Sequence, residues 1–125
     1  MKLRTLFVSA SLSLALVAGC HKSTDSQVEK MVTMMEDLGN AVDKAGDDCS
    51  KMASGVESVV KKYEGDLKDM KAAGEKLKGN KEEAERIEKK YGDRMQKVLP
   101  KMMGMMKCSE DPKMKALNEK LSGLM

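Results

Sequence analysis

The fold is decided by residues 26–45, which read SQVEKMVTMMEDLGNAVDKA. Apolar side chains recur here every three or four residues, which is the period of one face of an α-helix. They are Val28, Met31, Met35, Leu38, Val42 and Ala45. The same phase continues at Cys49, Met52, Val56, Val59, Tyr63, Leu67 and Met70. We therefore predict amphipathic helices that bury this face against partner helices.

Two short segments interrupt the pattern. Gly46 followed by Asp47 and Asp48 is typical of a helix that ends at glycine and a new helix that is capped by aspartate. Gly79 and Asn80 predict a second boundary in the same way. Because the apolar phase survives residues 46–48, the alternative to a break there is one unbroken helix from 27 to 78.

The second half of the chain repeats the helical pattern. Its apolar face consists of Ala84, Ile87, Tyr91, Met95, Val98, Met102 and Met105. Pro100 falls inside this helix and is expected to kink it, because proline removes one backbone hydrogen bond. Asp111 and Pro112 start a last helix, whose apolar face is Met114, Leu117, Leu121 and Leu124. The fold class predicted for residues 27–125 is all-α, a small up-and-down bundle of three to four helices.

The chain begins differently. Lys2 and Arg4 precede an apolar run of about 12 residues, which is too short for a transmembrane helix of ~20 residues and typical of a signal peptide. The run ends in Leu16-Val17-Ala18-Gly19-Cys20. These residues resemble the lipobox of bacterial lipoproteins, in which an apolar residue lies three before a cysteine and small residues follow.

The resemblance implies a signal peptide at residues 1–19 that is cleaved before Cys20, and fatty acyl chains such as palmitate on Cys20. Residues 20–26 would then form a lipidated N-terminus and a short tether. Several acyl chains hold a protein on a membrane firmly. We expect a cell-envelope protein that faces the periplasm, and His21 rather than aspartate after the cysteine favours the outer membrane over the inner.

Charge and cysteine content add two expectations. Loss of Lys2 and Arg4 lowers the formal net charge from +3 to +1, so no basic face for nucleic acid is predicted. Cys49 and Cys108 remain in an exported domain, where a pair of cysteines predicts a disulfide. Their sequence midpoint falls on the turn at residues 78–80, so an antiparallel α-hairpin would bring them together at its open end.

No catalytic group is evident in the mature chain, whose single histidine is His21 beside the lipidated residue. A nucleophile–histidine pair and a zinc-binding spacing are both missing from the sequence. We therefore predict a non-enzymatic binding or structural module, with no cofactor.

Methionine is the unusual feature, with 13 in the chain. Most fit the predicted core stripes, since methionine fills irregular gaps in cores that lack aromatics. Met34, Met103 and Met106 fall beside the stripe. Met103 and Met106, together with Leu99, predict an apolar surface for a protein partner in the cell envelope. The alternative function is binding of Cu(I), a soft ion that thioethers suit, by Met102, Met105 and Met106, with Met31 or Met34 as further ligands.

Overall fold

The structure is a computed structural model that describes residues 24–124, with side chains to residue 122. The predicted signal peptide, Cys20 and His21 lie outside the described residues. Within the described part every regular element is helical, so the all-α class is confirmed. The elements are α1 (Thr24–Ala45), α2 (Cys49–Tyr63), α3 (Leu67–Lys78), α4 (Lys81–Met103), a 3₁₀ helix (Gly104–Cys108) and α5 (Pro112–Leu124). Residues 24–26, predicted to belong to the tether, form the first turn of α1.

The predicted boundaries are present with their capping interactions. Gly46 has a positive φ of 59°, and the Asp48 carboxylate accepts a hydrogen bond of 3.0 Å from the backbone N–H of Lys51. The chain therefore breaks between α1 and α2, and the alternative of one helix from 27 to 78 is wrong. The Asn80 side chain caps α4 in the same way, since it accepts from the N–H of Glu83 at 3.1 Å.

The helix count is a correction, because five α-helices lie in residues 24–124 where three to four were predicted. The extra break is a turn at residues 64–66 between α2 and α3. The sequence gives only a weak indication of this turn, and the Asp66 side chain makes no capping hydrogen bond to α3. The Asp66 carboxylate instead accepts a hydrogen bond of 2.6 Å from Lys30 in α1. The apolar spacing continues through the turn without a change of phase, so periodicity could not indicate the break.

Cross-helix ion pairs define the directions of the helices. Arg86 of α4 pairs with Asp25 of α1, and Lys101 of α4 pairs with Asp43 of α1. Residue numbers rise together along this interface, so α1 and α4 run parallel. Lys62 pairs with Asp37 of α1, whereas Asp66 pairs with the earlier residue Lys30, so the arm formed by α2 and α3 runs antiparallel to α1. The order is up for α1, down for α2 and α3, and up for α4.

Helix α1 is the central helix of the bundle, because it packs against α4, α2 and α3. Its two sides belong to different apolar clusters. Val28 and Val32 join Ile87 and Tyr91 of α4 in a smaller cluster. Met34 belongs to a larger cluster with α2, α3 and α5. The single stripe predicted for α1 was therefore too narrow: it omits Val32 and Met34, which are buried.

The predicted disulfide between Cys49 and Cys108 is present, with Cα atoms 5.3 Å apart. It joins the first residue of α2 to the last residue of the 3₁₀ helix. The hairpin around it differs from the prediction in one respect. Helices α3 and α4 lie side by side after the turn at residues 79–80, but α2 packs mainly on α1. The disulfide thus connects two arms that both rest on the central helix.

Candidate docking surface at the end of helix α4

Three large apolar side chains lie exposed near the end of α4. Leu99 is 56% exposed, Met103 65% and Met106 71%. Among the side chains described between residues 24 and 122, these are the only large hydrophobic ones in the exposed class. They are the same three residues that the sequence singled out as a partner surface. We call Leu99, Met103 and Met106 the distal patch.

Local helix geometry brings these three side chains to one side of the bundle. Leu99 and Met103 are four residues apart in α4, about one α-helical turn. After Met103 the chain tightens into the 3₁₀ helix, in which residues three apart eclipse each other. Met106 therefore follows Met103 along the same side. Helix α4 continues past Pro100 to Met103.

The patch lies beside the C-terminal end of α1. The Nζ of Lys101 is 3.4 Å from the Asp43 carboxylate, and that of Lys107 is 3.2 Å from Asp47. A Cβ placed on Gly104 would be 2.8 Å from the Cγ1 of Val42, so the start of the 3₁₀ helix rests directly on α1. The 22 residues of α1 correspond to about 33 Å of helix. This length separates the patch from the end of the bundle where α1 begins.

A shallow cleft of about 360 Å³ adjoins the patch on its α1 side. Met103 lines this cleft together with Val42, Pro100 and Gly104. Asp43, Lys101 and Lys107 also line it. The distal patch therefore combines an apolar centre with a charged rim, which is the ordinary anatomy of a protein–protein interface.

The position of α4 is fixed by a row of ion pairs along α1. Arg94 donates to the carboxylate of Glu36 at 2.8 Å and to that of Glu29 at 2.7 Å. Arg86 donates to Asp25 at 2.6 Å and also to Glu83. Hydrogen bonds from these guanidinium groups hold the pKa values of Asp25, Glu29 and Glu36 below their ordinary values. These pairs join different helices, so they depend on how the helices pack rather than on a local sequence pattern.

A second polar group joins α2 to α1. The Asp37 carboxylate accepts hydrogen bonds of 2.8 Å from the Lys62 ammonium and from the Tyr63 hydroxyl. The bonds from Lys62 and Tyr63 lower the pKa of Asp37. Burial, followed by the bond to Asp37, raises the pKa of Tyr63. An open groove of about 590 Å³ lies beside this group between α1 and α2, lined mainly by lysine, serine and small residues.

The methionines of the predicted Cu(I) site occupy two environments. Met102 and Met105 are half-buried and pack against the larger apolar cluster, which also contains Met34 and contacts Met31. Met106 is exposed and belongs to the distal patch. In the part of the chain that the structure describes, no three His, Cys, Asp or Glu side chains come together as a metal site. In the same part, no helix is long and apolar enough to cross a bilayer.

No family model, no curated protein and no solved structure matches the chain.

Proposed function

We propose that this protein is a lipid-anchored, non-enzymatic helical module of the bacterial cell envelope that binds a protein partner through the distal patch. The observation that carries the proposal is the exposure of Leu99, Met103 and Met106 on one side of the bundle. Other large apolar side chains in the described part are buried or half-buried. Contiguous exposed apolar surface marks interaction sites more often than isolated apolar residues do.

The proposed anchor would place the distal patch away from the membrane. Lipid on Cys20 would hold the start of α1 close to the membrane, since four residues of extended chain span at most about 14 Å. The patch lies toward the opposite end of α1, a helix about 33 Å long. A bundle standing on its anchor would therefore present Met103 and Met106 away from the membrane surface, toward the periplasmic space.

The chemistry of the patch favours an apolar segment of another protein as the partner. Burying a large apolar side chain that starts about half exposed contributes roughly 1 kcal/mol, so three side chains support modest affinity. Methionine side chains are flexible and adapt to surfaces of varied shape. We therefore expect a reversible contact with an amphipathic helix or an unfolded chain, oriented by Lys101 and Lys107 at the rim.

Photo-cross-linking of the full-length lipoprotein in its native membranes tests the proposal. Leu99 is replaced by a photoreactive amino acid, and a matched variant carries the same group at Glu85, an exposed position near the opposite end of α4. We expect a discrete cross-linked protein from position 99 and none from position 85. Changing Met103 and Met106 to Gln should remove the cross-link while leaving the thermal unfolding midpoint nearly unchanged. Equal labelling from both positions would contradict the proposal.

Cu(I) binding is a second candidate function, favoured by one observation. Met31 and Met34 of α1 and Met102 and Met105 near the end of α4 border the same apolar cluster. Thioether sulfurs are suitable ligands for Cu(I). A competition titration against a coloured Cu(I) chelator, with the disulfide intact, tests this function. Binding that is lost when Met102, Met105 and Met106 are changed to Leu would support a copper site, and absence of competition would exclude it.

A further inference from the structure

The described methionines fall into three environments. Four are buried, and they come from four different helices: Met34 of α1, Met52 of α2, Met70 of α3 and Met114 of α5. Their side chains are between 0% and 7% exposed. A second group, which includes Met102 and Met105, is half-buried. Among methionines 31–114, only Met103 and Met106 are exposed, at 65% and 71%.

The other side chains that oxidants attack are protected in the described structure. Cys49 and Cys108 are joined in a disulfide, so neither offers a thiol. Tyr63 and Tyr91 are 7% and 4% exposed, and the chain has no tryptophan. The thioethers of Met103 and Met106 are therefore the most accessible oxidisable groups between residues 24 and 122. They lie next to each other along the distal patch.

We infer that Met103 and Met106 form a site of reversible oxidation to methionine sulfoxide by peroxides. The sulfur lone pair attacks one oxygen of hydrogen peroxide, the O–O bond breaks, and an S–O bond forms. The sulfur loses two electrons, and the other peroxide oxygen leaves as water after proton transfer. Methionine sulfoxide reductases return the thioether at the expense of a dithiol, so the modification can be reversed.

The placement of the two methionines makes this oxidation local in its effect. A sulfoxide is polar, and in a core it disrupts packing. At positions 103 and 106 the new oxygen would lie in water, while the four buried methionines keep the larger cluster intact. Oxidation would therefore change the distal patch from apolar to polar without unfolding the bundle. Regulation of partner binding by this change rests on the proposed function, whereas selective oxidation does not.

Peptide mass spectrometry tests the site itself. The full chain, purified in detergent micelles, is treated with hydrogen peroxide, and sulfoxide at each methionine is followed over time. Met103 and Met106 should react about tenfold faster or more than the four buried methionines, which need local opening to meet the oxidant. The helical circular dichroism signal should persist when both are fully oxidised. Equal rates at buried and exposed methionines, or loss of the helical signal in step with oxidation, would overturn the inference.

A non-oxidisable variant tests the regulatory role. Changing Met103 and Met106 to Leu keeps the patch apolar but removes both sulfurs. Peroxide should abolish the cross-link from position 99 in the parent chain and leave it in the Leu variant. A cross-link that survives in the parent chain with both sulfoxides formed would overturn regulation. If no cross-link forms before peroxide is added, the proposed function fails, while the oxidation rates still decide the modification site.

Discussion

The two sides of α1 are held by different kinds of interaction. On the side of α2, α3 and α5, α1 contributes to a large apolar cluster that includes Met52, Val56 and Met114, all fully buried. On the side of α4, the apolar cluster is small, and ion pairs from Arg86, Arg94 and Lys101 follow its length. Apolar burial supplies most of the free energy of folding, whereas exposed ion pairs contribute little. The α4 side should therefore be the weaker interface, except where the disulfide reinforces it.

The largest expected effect comes from removing that reinforcement. Changing Cys49 and Cys108 to Ser opens a covalent loop of 59 residues. In the chain-entropy model this lowers the free energy of unfolding by roughly 4 kcal/mol. Urea unfolding of the oxidised parent chain and the double variant measures the difference. As a control, reductant should lower the free energy of unfolding of the parent chain by a similar amount and leave that of the variant unchanged. Equal stability of the two proteins would show that the disulfide adds nothing to the packing of the two arms on α1.

The next largest effect tests the apolar side of α1. Met52 is 0% exposed within the larger cluster. Changing it to Ala should lower the free energy of unfolding by about 2 to 5 kcal/mol, because the lost side chain leaves a cavity. The matched control is Met106 changed to Ala, which removes an exposed side chain and should cost less than about 0.5 kcal/mol. Similar costs in the two variants would contradict the assignment of Met106 to the surface.

Gly92 in α4 and Gly104 just after it provide a matched pair of substitutions to Ala that test how closely the end of α4 approaches α1. Ala at Gly104 would place a Cβ 2.8 Å from the Cγ1 of Val42, and a β-branched side chain has little freedom to move away. We expect a loss of about 1 to 3 kcal/mol. Ala at Gly92, which has nothing within 4 Å of the added Cβ, should instead stabilise by about 0.5 to 1 kcal/mol. Thermal unfolding measures the change in stability of each variant, and stabilisation by Ala at Gly104 as well as at Gly92 would refute the close approach at Gly104.

The smallest effect concerns the ion pairs of α4 and depends on pH. Glu29 and Glu36 have lowered pKa values in the folded state, chiefly because Arg94 donates hydrogen bonds to them. The unfolded chain then binds more protons than the folded chain as pH falls below about 4.3, the ordinary pKa of glutamate. The stabilisation is thus present above that pH and is lost as pH falls through the lower folded values. Changing Arg94 to Met should flatten this part of the stability profile.

Urea unfolding between pH 7 and pH 2.5 measures that profile. The control variant changes Glu29 and Glu36 to Gln, which removes the titrating groups and leaves Arg94 in place. It should flatten the profile by a similar amount, and adding the Arg94 substitution to it should produce no further flattening. An unchanged acid dependence in the Arg94 variant would show that other carboxylates determine the acid sensitivity.

Features that depend on neighbouring residues could be predicted from the sequence. The breaks at residues 46–48 and 79–80 are capped by Gly46, Asp48 and Asn80, and each cap acts within one turn of its own helix. The pairing of Cys49 with Cys108 was predicted from their number and from their midpoint, which falls on the turn at residues 78–80. Leu99, Met103 and Met106 were assigned to a surface because they exceed the width of one apolar stripe. The caps and the apolar spacing act over short distances along the chain, whereas the cysteine pair was predicted because Cys49 and Cys108 are the two cysteines left in the predicted mature domain.

Features that depend on partner helices could not be predicted in this way. The turn at residues 64–66 carries no side-chain cap, and Asp66 pairs instead with Lys30 of another helix. Val32 became buried because α4 lies against that side of α1, which a single-stripe pattern does not represent. Arg94 pairs with Glu29 and Glu36, which lie about 60 residues earlier in the chain, so no local pattern could indicate these pairs.

The sequence by itself determined that this chain is helical, where two of its turns fall, which cysteines pair and which apolar side chains exceed the core. The helices, turns and surface residues follow from backbone propensity, capping and periodicity, which act over a few residues, and the cysteine pair follows from the number of cysteines in the predicted mature domain. The tertiary structure alone decided that α1 is central, that α4 runs parallel to it, and that the distal patch lies at the far end of α1. Those properties depend on which faces meet, because burial and ion pairing are settled only when helices distant in sequence pack together.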